Sequence, residues 1–458
     1  MSELKIIDRP AREIYQEYYK RTTKSKALFD RAKGYLPGGN TRSTIFWNPH
    51  PIYFGHGKGF TIYDIDGNVY LDFLGNYTSL IHGHAHPKIV EAIQNAAEYG
   101  TAAHLPTENE IRLAELMCKR FPSLERVRFG NSGTEATMHA LRVARAYTGR
   151  DKIMKAEGAY HGTHLWAEVS HHPDINQVGP LEHPNSIPEV GTPTSIANDV
   201  IIYPFNNQEI TEKLLKENKD ELAAVIVEPV MRTIPPENEY LKFLREITTD
   251  NGVLLIFDEV ICARISKGGA QEYYGVTPDL TAFGKIFGGG LPFGAFGGRE
   301  EIMEMSNPSK EKTVDQGGTF NANPVTMAAG IVSTELLTSE AIRRLNALGE
   351  TQRREMKKVL DDLRVIASMT GVGSLCTMYF TDREVKNFRD SASAQKSLNA
   401  PLYLSLLNEG ISIAPRLLTA LSTPMSEREI ARFIESFRRS IEQLKPLIKE
   451  TVPNLILN

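Results

Sequence analysis

TAFGKIFGGGLPFGAFGGR, residues 281–299, places one lysine, Lys285, at the end of a short apolar run formed by Leu280, Ala282 and Phe283. Seven glycines surround it: Gly284, Gly288, Gly289, Gly290, Gly294, Gly297 and Gly298. Glycine permits positive φ and a close approach of backbone to a ligand. The stretch therefore reads as a loop able to hold one amine near something flat and bulky. Desolvation lowers the pKa of a lysine and makes it a nucleophile toward carbonyls. Alone, the stretch reads equally well as a flexible surface loop with a solvated lysine. Its surroundings decide.

Upstream of the lysine, strand and helix patterns alternate. Strands are expected at 127–129, 153–155, 200–203, 224–227, 253–257 and 280–283, with helices at 134–147, 208–218 and 240–250. This implies an α/β fold around a mostly parallel sheet covered on both faces. Ligands then bind beyond the carboxyl ends of the strands. Before this region the pattern predicts a helix over 10–36 and a strand pair within 60–73 that turns at Asp66-Gly67. Helices follow from Pro87 to about Tyr99 and over 108–121. After Asn323 the chain reads as helical to about Val365, with a strand near 375–380 and helices near 394–409 and 426–448. The expected domains are 1–75 and 336–458, which together make a smaller α+β domain from both termini, and 76–335, the large domain.

The 458 residues are 41% hydrophobic and 24% charged, as in an ordinary globular protein of two or three domains. The net charge of −4 argues against a broad basic face for nucleic acid. Cys118, Cys262 and Cys376 are far apart and fit neither a metal spacing nor a disulfide framework. The polar N-terminal stretch lacks the apolar core of a signal peptide, and no run of about eighteen apolar residues exists. A cytoplasmic chain without a membrane span is expected.

Three motifs join the lysine. Gly130-Asn131-Ser132-Gly133-Thr134-Glu135-Ala136 follows a strand and opens a helix. The free amides there, with the Ser and Thr hydroxyls, suit a phosphate, although a plain N-cap reads the same way. Val253 to Val260 is an apolar strand that delivers Asp258 and Glu259 to its carboxyl end. It resembles a magnesium-binding strand, but no GxxxxGK[ST] or GxGxxG motif accompanies it. Such an acid can also hold a pyridine nitrogen protonated. Ala159-Tyr160-His161-Gly162 offers an aromatic beside a glycine, either a platform for a flat ring or an ordinary turn. His161, His164, His171 and His172 hint at a metal, but no acid or cysteine completes a convincing set, and no metal is expected. A phosphate cup, an aromatic platform, a strand-end acid and a lysine are together what pyridoxal phosphate requires.

In this set and order the chain resembles the class III, fold type I, pyridoxal-phosphate aminotransferases from about Ala27 to Arg438. The resemblance rests on NSGTEA, AYHG, VEPV, LLIFDEV, the Lys285 loop and Gly318-Thr319-Phe320. GGAQEYYGVTPDL (268–280) and GKIFGGGLPFGAFGGR (284–299) are similar to the glutamate-1-semialdehyde aminomutases. PGGNTRS (37–43), NYTSLIHGH (76–84), DEVICAR (258–264), GTFNANPVTMAAG (318–330) and APR (414–416) look like the β-amino-acid (β-phenylalanine) aminotransferases. The resemblance implies that Lys285 is the Schiff-base lysine and that Asp258 pairs with the pyridinium nitrogen. Tyr160 and Val260 would flank the ring, Ser132, Gly133 and Thr134 would hold the phosphate, and His161 and Glu228 would belong to the same site. It also implies a homodimer with a shared active site, in which Thr319 reaches the neighbouring subunit's phosphate.

Arg42 would bind the substrate's β-carboxylate and Arg416 the α-carboxylate of a keto acid such as 2-oxoglutarate or pyruvate, with Tyr77 among the substrate contacts. The aminomutases lack the late arginine, so Arg416 favours amino transfer between molecules. A 1,2-aminomutase or an amino-acid racemase is the alternative. A nucleotide-binding protein and a non-catalytic scaffold are the more distant ones. One departure stands out: Met231-Arg232-Thr233-Ile234 follows Glu228-Pro229-Val230, where the family usually has a glycine-containing turn. Thr44, Ile45, Phe46 and Trp47 are expected to shape the substrate pocket.

Overall fold

The computed structural model describes residues 11–457. They form two compact units. The larger comprises 87–344 and a short return of the chain, 385–392; the smaller comprises the residues up to His86, 345–384 and 393 onward. The boundaries at 86/87 and 344/345 compare with the 75/76 and 335/336 read from sequence, where nothing announced the 385–392 return.

The expected first helix is two, Arg12–Arg21 and Thr23–Ala32. They break at Thr22, which leaves helical geometry (φ −125, ψ 38), and its hydroxyl bonds Tyr18 O and His50 Nε2. β1 (Phe54–Lys58), β2 (Thr61–Asp64) and β3 (Val69–Asp72) follow. β2 and β3 flank the expected Asp66-Gly67 turn, with Gly67 at φ 92. β1 went unread because Phe-Gly-His-Gly-Lys is largely exposed and shows no apolar alternation.

The larger unit is built on β4 (Arg126–Gly130), β5 (Lys152–Ala156), β6 (Val200–Tyr203), β7 (Leu222–Val227), β8 (Leu254–Asp258), β9 (Leu280–Gly284) and β10 (Gly294–Gly298). Their order is β4-β10-β9-β8-β7-β5-β6, all parallel except β10. The helix Gly133–Thr148 packs Ala136, Ala140, Leu141, Val143 and Ala144 onto Ile153, Ala224, Ile256, Leu280 and Phe296 of this sheet. Gly149 ends that helix in the left-handed region at φ 67.

β10 corrects the reading of the glycine-rich stretch after the 280–283 strand as a loop up to Arg299. Only 285–293 connects; Gly294–Gly298 is a buried strand between β9 and β4. Its glycines serve close packing. A Cβ on Gly297 would lie 2.2 Å from Arg126 O, and one on Gly298 would lie 2.1 Å from Asp279 O.

In the smaller unit β11 (Ser368–Thr370), β12 (Leu375–Tyr379) and β14 (Leu418–Ala420) form an antiparallel sheet, and β13 (Ile411–Ser412) adds in parallel to β3. β13 thereby joins the N-terminal and C-terminal parts, as an α+β domain from both termini requires. The long helix Glu427–Thr451 opens on a capping box of Ser426 and Glu429. No helix among the described residues is long and apolar enough to cross a membrane.

Gly297→Ala is expected to destabilise the fold by about 1–3 kcal/mol, the usual cost of overpacking. Gly317→Ala, at a site with open space around it, should leave the midpoint of chemical unfolding unchanged.

Candidate active site

Five parallel strands end on the same edge of the sheet, and each delivers a residue singled out above. Ser132 follows β4, Tyr160 follows β5, Glu228 follows β7, Asp258 ends β8 and Lys285 follows β9. The doubly wound topology thus gathers residues that are distant in sequence.

Ser132 N-caps the helix Gly133–Thr148, its hydroxyl accepting from the Glu135 amide at 3.1 Å. The capping reading of this motif is therefore satisfied, while the Gly133 and Thr134 amides stand in the helix's first turn, where amides have no intrahelical acceptor. Thr134 Oγ1 accepts from the Thr163 amide at 3.3 Å. Gly162 (φ 94) must be glycine here, because a Cβ would lie 2.6 Å from Thr134 Oγ1. Val260 packs against Gly133 and Gly284, whose added Cβ atoms would each come within 3.2 Å of it.

Asp258 is buried. Its Oδ2 is 2.9 Å from His161 Nδ1, and its Oδ1 accepts the Val260 amide at 3.1 Å. His161 Nε2 is buried without a hydrogen-bond partner among the described residues, so a polar group of a ligand, or water, has a place there. Lys285 opens the connection after β9 at φ 51. Burial lowers its pKa, opposed by the charges of Asp258 and Glu228. Glu228 is buried, and its carboxylate accepts the Tyr160 amide at 2.9 Å and the Arg232 amide at 3.2 Å. Desolvation still raises its pKa. Tyr160 is 37% exposed. A strand-end acid, a desolvated lysine, an exposed aromatic and a helix N-terminus therefore lie at one sheet edge, a set that fits pyridoxal phosphate.

Arg232 lies in the departing turn noted in the sequence, where no role was read for it. It adopts φ 60, a left-handed conformation that glycine takes without strain. Its guanidinium reaches Gly158 O at 3.0 Å and His171 O at 3.3 Å. Arg389, in the 385–392 return, was missed. It makes a bidentate pair with buried Glu157 at 2.8 and 3.0 Å, directly before Gly158 and Tyr160. The expectation that no acid joins the histidines also needs correction. Ser170 N bonds Ile187 O at 2.7 Å, which folds the chain back and sets Glu189 beside His171 and His172.

The remaining residues are placed as follows. Thr319 is exposed; in its loop, Asn321 Oδ1 accepts from Asn131 Nδ2 at 2.7 Å. In the smaller unit Arg42 donates to Asn76 Oδ1 at 2.9 Å and lies 5.9 Å from the Tyr77 ring. Burial raises the Tyr77 pKa, with Arg416 and then Arg42 opposing, so both guanidiniums lie near one phenol. Tyr77 donates its hydroxyl to Thr44 O.

The sequence profile described as aminotransferase class-III matches residues 47–440. The chain belongs to the class-III aminotransferases. As a member it depends on pyridoxal phosphate. This aminotransferase is 44% identical over 396 residues to a glutamate-1-semialdehyde 2,1-aminomutase of Methanosphaera stadtmanae, covering 86% of this chain and 91% of that one. Among solved structures it is similar to an omega-transaminase from Sphaerobacter thermophilus, with TM-score 0.89, 43% identity and coverage of 92% and 98%. A β-phenylalanine aminotransferase from Variovorax paradoxus matches with TM-score 0.87, 34% identity and coverage of 96% and 98%.

Arg389→Ala in this aminotransferase leaves the Glu157 carboxylate buried and unpaired. A loss of about 3–5 kcal/mol is expected, read as a lower denaturation midpoint, while Arg389→Lys should restore part of it.

Proposed function

We propose that this aminotransferase moves an amino group from a β-amino acid, or a related amine, to a keto acid such as 2-oxoglutarate or pyruvate. The observation that carries this reading is the grouping of Arg42, Arg416 and Tyr77 in the smaller unit. Guanidinium forks suit carboxylates, and a reaction that accepts two different carboxylic acids in turn has use for two of them. Similarity to a β-phenylalanine aminotransferase and to an omega-transaminase supports it. The active form is a homodimer in the cytoplasm, with exposed Thr319 serving the phosphate cup of the second subunit.

Ser132, Gly133 and Thr134 would hold the cofactor's phosphate, Tyr160 and Val260 its ring faces, and Asp258, oriented by His161, its ring nitrogen. When bound, the cofactor supplies an electron sink for the carbon that bears the amine. Lys285 Nζ is the general base that takes the proton from that carbon. Its lowered pKa keeps more of it neutral near pH 7 than an exposed lysine would be. The Asp258 carboxylate would keep the ring nitrogen protonated. Glu228, through the amides of Tyr160 and Arg232, keeps the platform and the neighbouring turn in place.

A second reading, a 1,2-aminomutase, is favoured by the aminomutase names of relatives such as that of Methanosphaera stadtmanae. The acceptor requirement separates the two. With 3-amino-3-phenylpropionate alone, the visible band of the bound cofactor should fall, and 2-oxoglutarate or pyruvate should restore it. Conversion of glutamate-1-semialdehyde without any acceptor would instead establish the aminomutase reading. Arg416→Ala should slow the keto-acid half more than the β-amino-acid half; equal losses would reject the division of roles.

Lys285→Ala should abolish turnover while the circular dichroism spectrum stays unchanged. In the unaltered enzyme, kcat should rise with pH as Nζ loses its proton, with the midpoint below the usual lysine range.

A further inference from the structure

We propose that His171, His172 and Glu189 form a binding site for a divalent transition ion of the zinc type, outside the cofactor site. The ligand atoms of these three residues all lie within 4.8 Å of one another. Two arms of one loop bring them together. Ser170 N donates to Ile187 O at 2.7 Å, Ser170 Oγ donates to Asn185 O at 2.9 Å, and Ile187 N donates to Ser170 Oγ at 3.0 Å. The His172 amide donates to Glu189 Oε1 at 3.0 Å, which fixes the carboxylate beside the two rings. The ring centroids of His171 and His172 are 3.7 Å apart.

Two imidazoles and one carboxylate are a donor set for zinc, cobalt or nickel rather than calcium or magnesium. Ligand atoms around tetrahedral zinc sit about 3.4 Å apart, so side-chain shifts of about 1 Å close the site, with water in the remaining position. A second acid lies near the Glu189 carboxylate. Glu168 lies near enough to Glu189 that, after burial, the Glu189 charge is the next cause of its raised pKa. Of the neighbouring cations, Lys155 Nζ donates to Ala167 O and Val169 O at 2.7 and 2.8 Å, and the Arg232 guanidinium donates to Gly158 O and to the backbone carbonyl of His171. Metal at this point would clip the loop behind the aromatic platform, because the His171 ring is 4.8 Å from that of Tyr160. The role is positional.

The test uses the full-length holoenzyme without a histidine tag, stripped with EDTA and titrated with Co²⁺ and Zn²⁺. Bound metal is counted by elemental analysis after gel filtration. The expected result is one retained ion per chain, with affinity reduced by about tenfold or more in His172→Ala and in Glu189→Gln. His104→Ala, at an exposed histidine elsewhere, should bind as the unaltered chain does. His172 is exposed, so its replacement should not disturb folding, which circular dichroism checks. Absence of stoichiometric uptake, or uptake by either site variant as tight as that of the unaltered chain, would overturn the proposal.

Discussion

Three glycines in register, Gly130, Gly294 and Gly284, cross β4, β10 and β9 at the edge where the site is built. A Cβ on Gly294 would lie 2.0 Å from Ser132 O, and one on Gly284 would meet Val260 at 3.2 Å. The side-chain-free row lets the loop after β4 fold down over β10. Ser132 and Lys285 then emerge within a few residues of the same row. A side chain at 294 would displace the backbone of Ser132, which caps the helix Gly133–Thr148, and with it the amides proposed to take a phosphate.

Behind this edge the larger unit buries several ionisable side chains. Glu259 accepts from the Ala270 and Gln271 amides, yet burial still pushes its pKa up to about 7. Lys155 is pushed down to about 7 by burial although two carbonyls accept its protons. Burial brings Arg264 down to about 9. Water is scarce here, so each charge acts on its neighbours through a low dielectric. The same desolvation prevails over Asp258 and Glu228 at Lys285. The lowered pKa of that lysine is thus a property of the packed sheet as well as of its own loop.

The sequence made legible what depends on local period. The parallel strands, the helices Gln208–Asn218 and Tyr240–Asp250, and the motifs at the strand ends all follow apolar spacing and turn residues. Other features depend on distant chain. β10 reads as a loop because glycine at 294, 297 and 298 answers to neighbouring backbone rather than to strand propensity. Glu189 joins the histidines only because Ser170 pairs with Ile187. Arg232 occupies a left-handed turn usually given to glycine, and its partners at 158 and 171 lie more than sixty residues away. Arg389 pairs with an acid 232 residues earlier.

The return at 385–392 bears on synthesis. The chain leaves the larger unit at 344, builds much of the smaller one, and goes back for eight residues before finishing. Glu157 is made early but meets its guanidinium only once residue 389 has left the ribosome. Until then a nascent larger unit carries a carboxylate without its guanidinium partner, and the ring of Phe388, which crowds Gly158, is not yet in place. The segment leading to Tyr160 gains these contacts only after residue 389 has been added. The order of translation thus leaves this segment without its Arg389 and Phe388 contacts until the 385–392 return has been made.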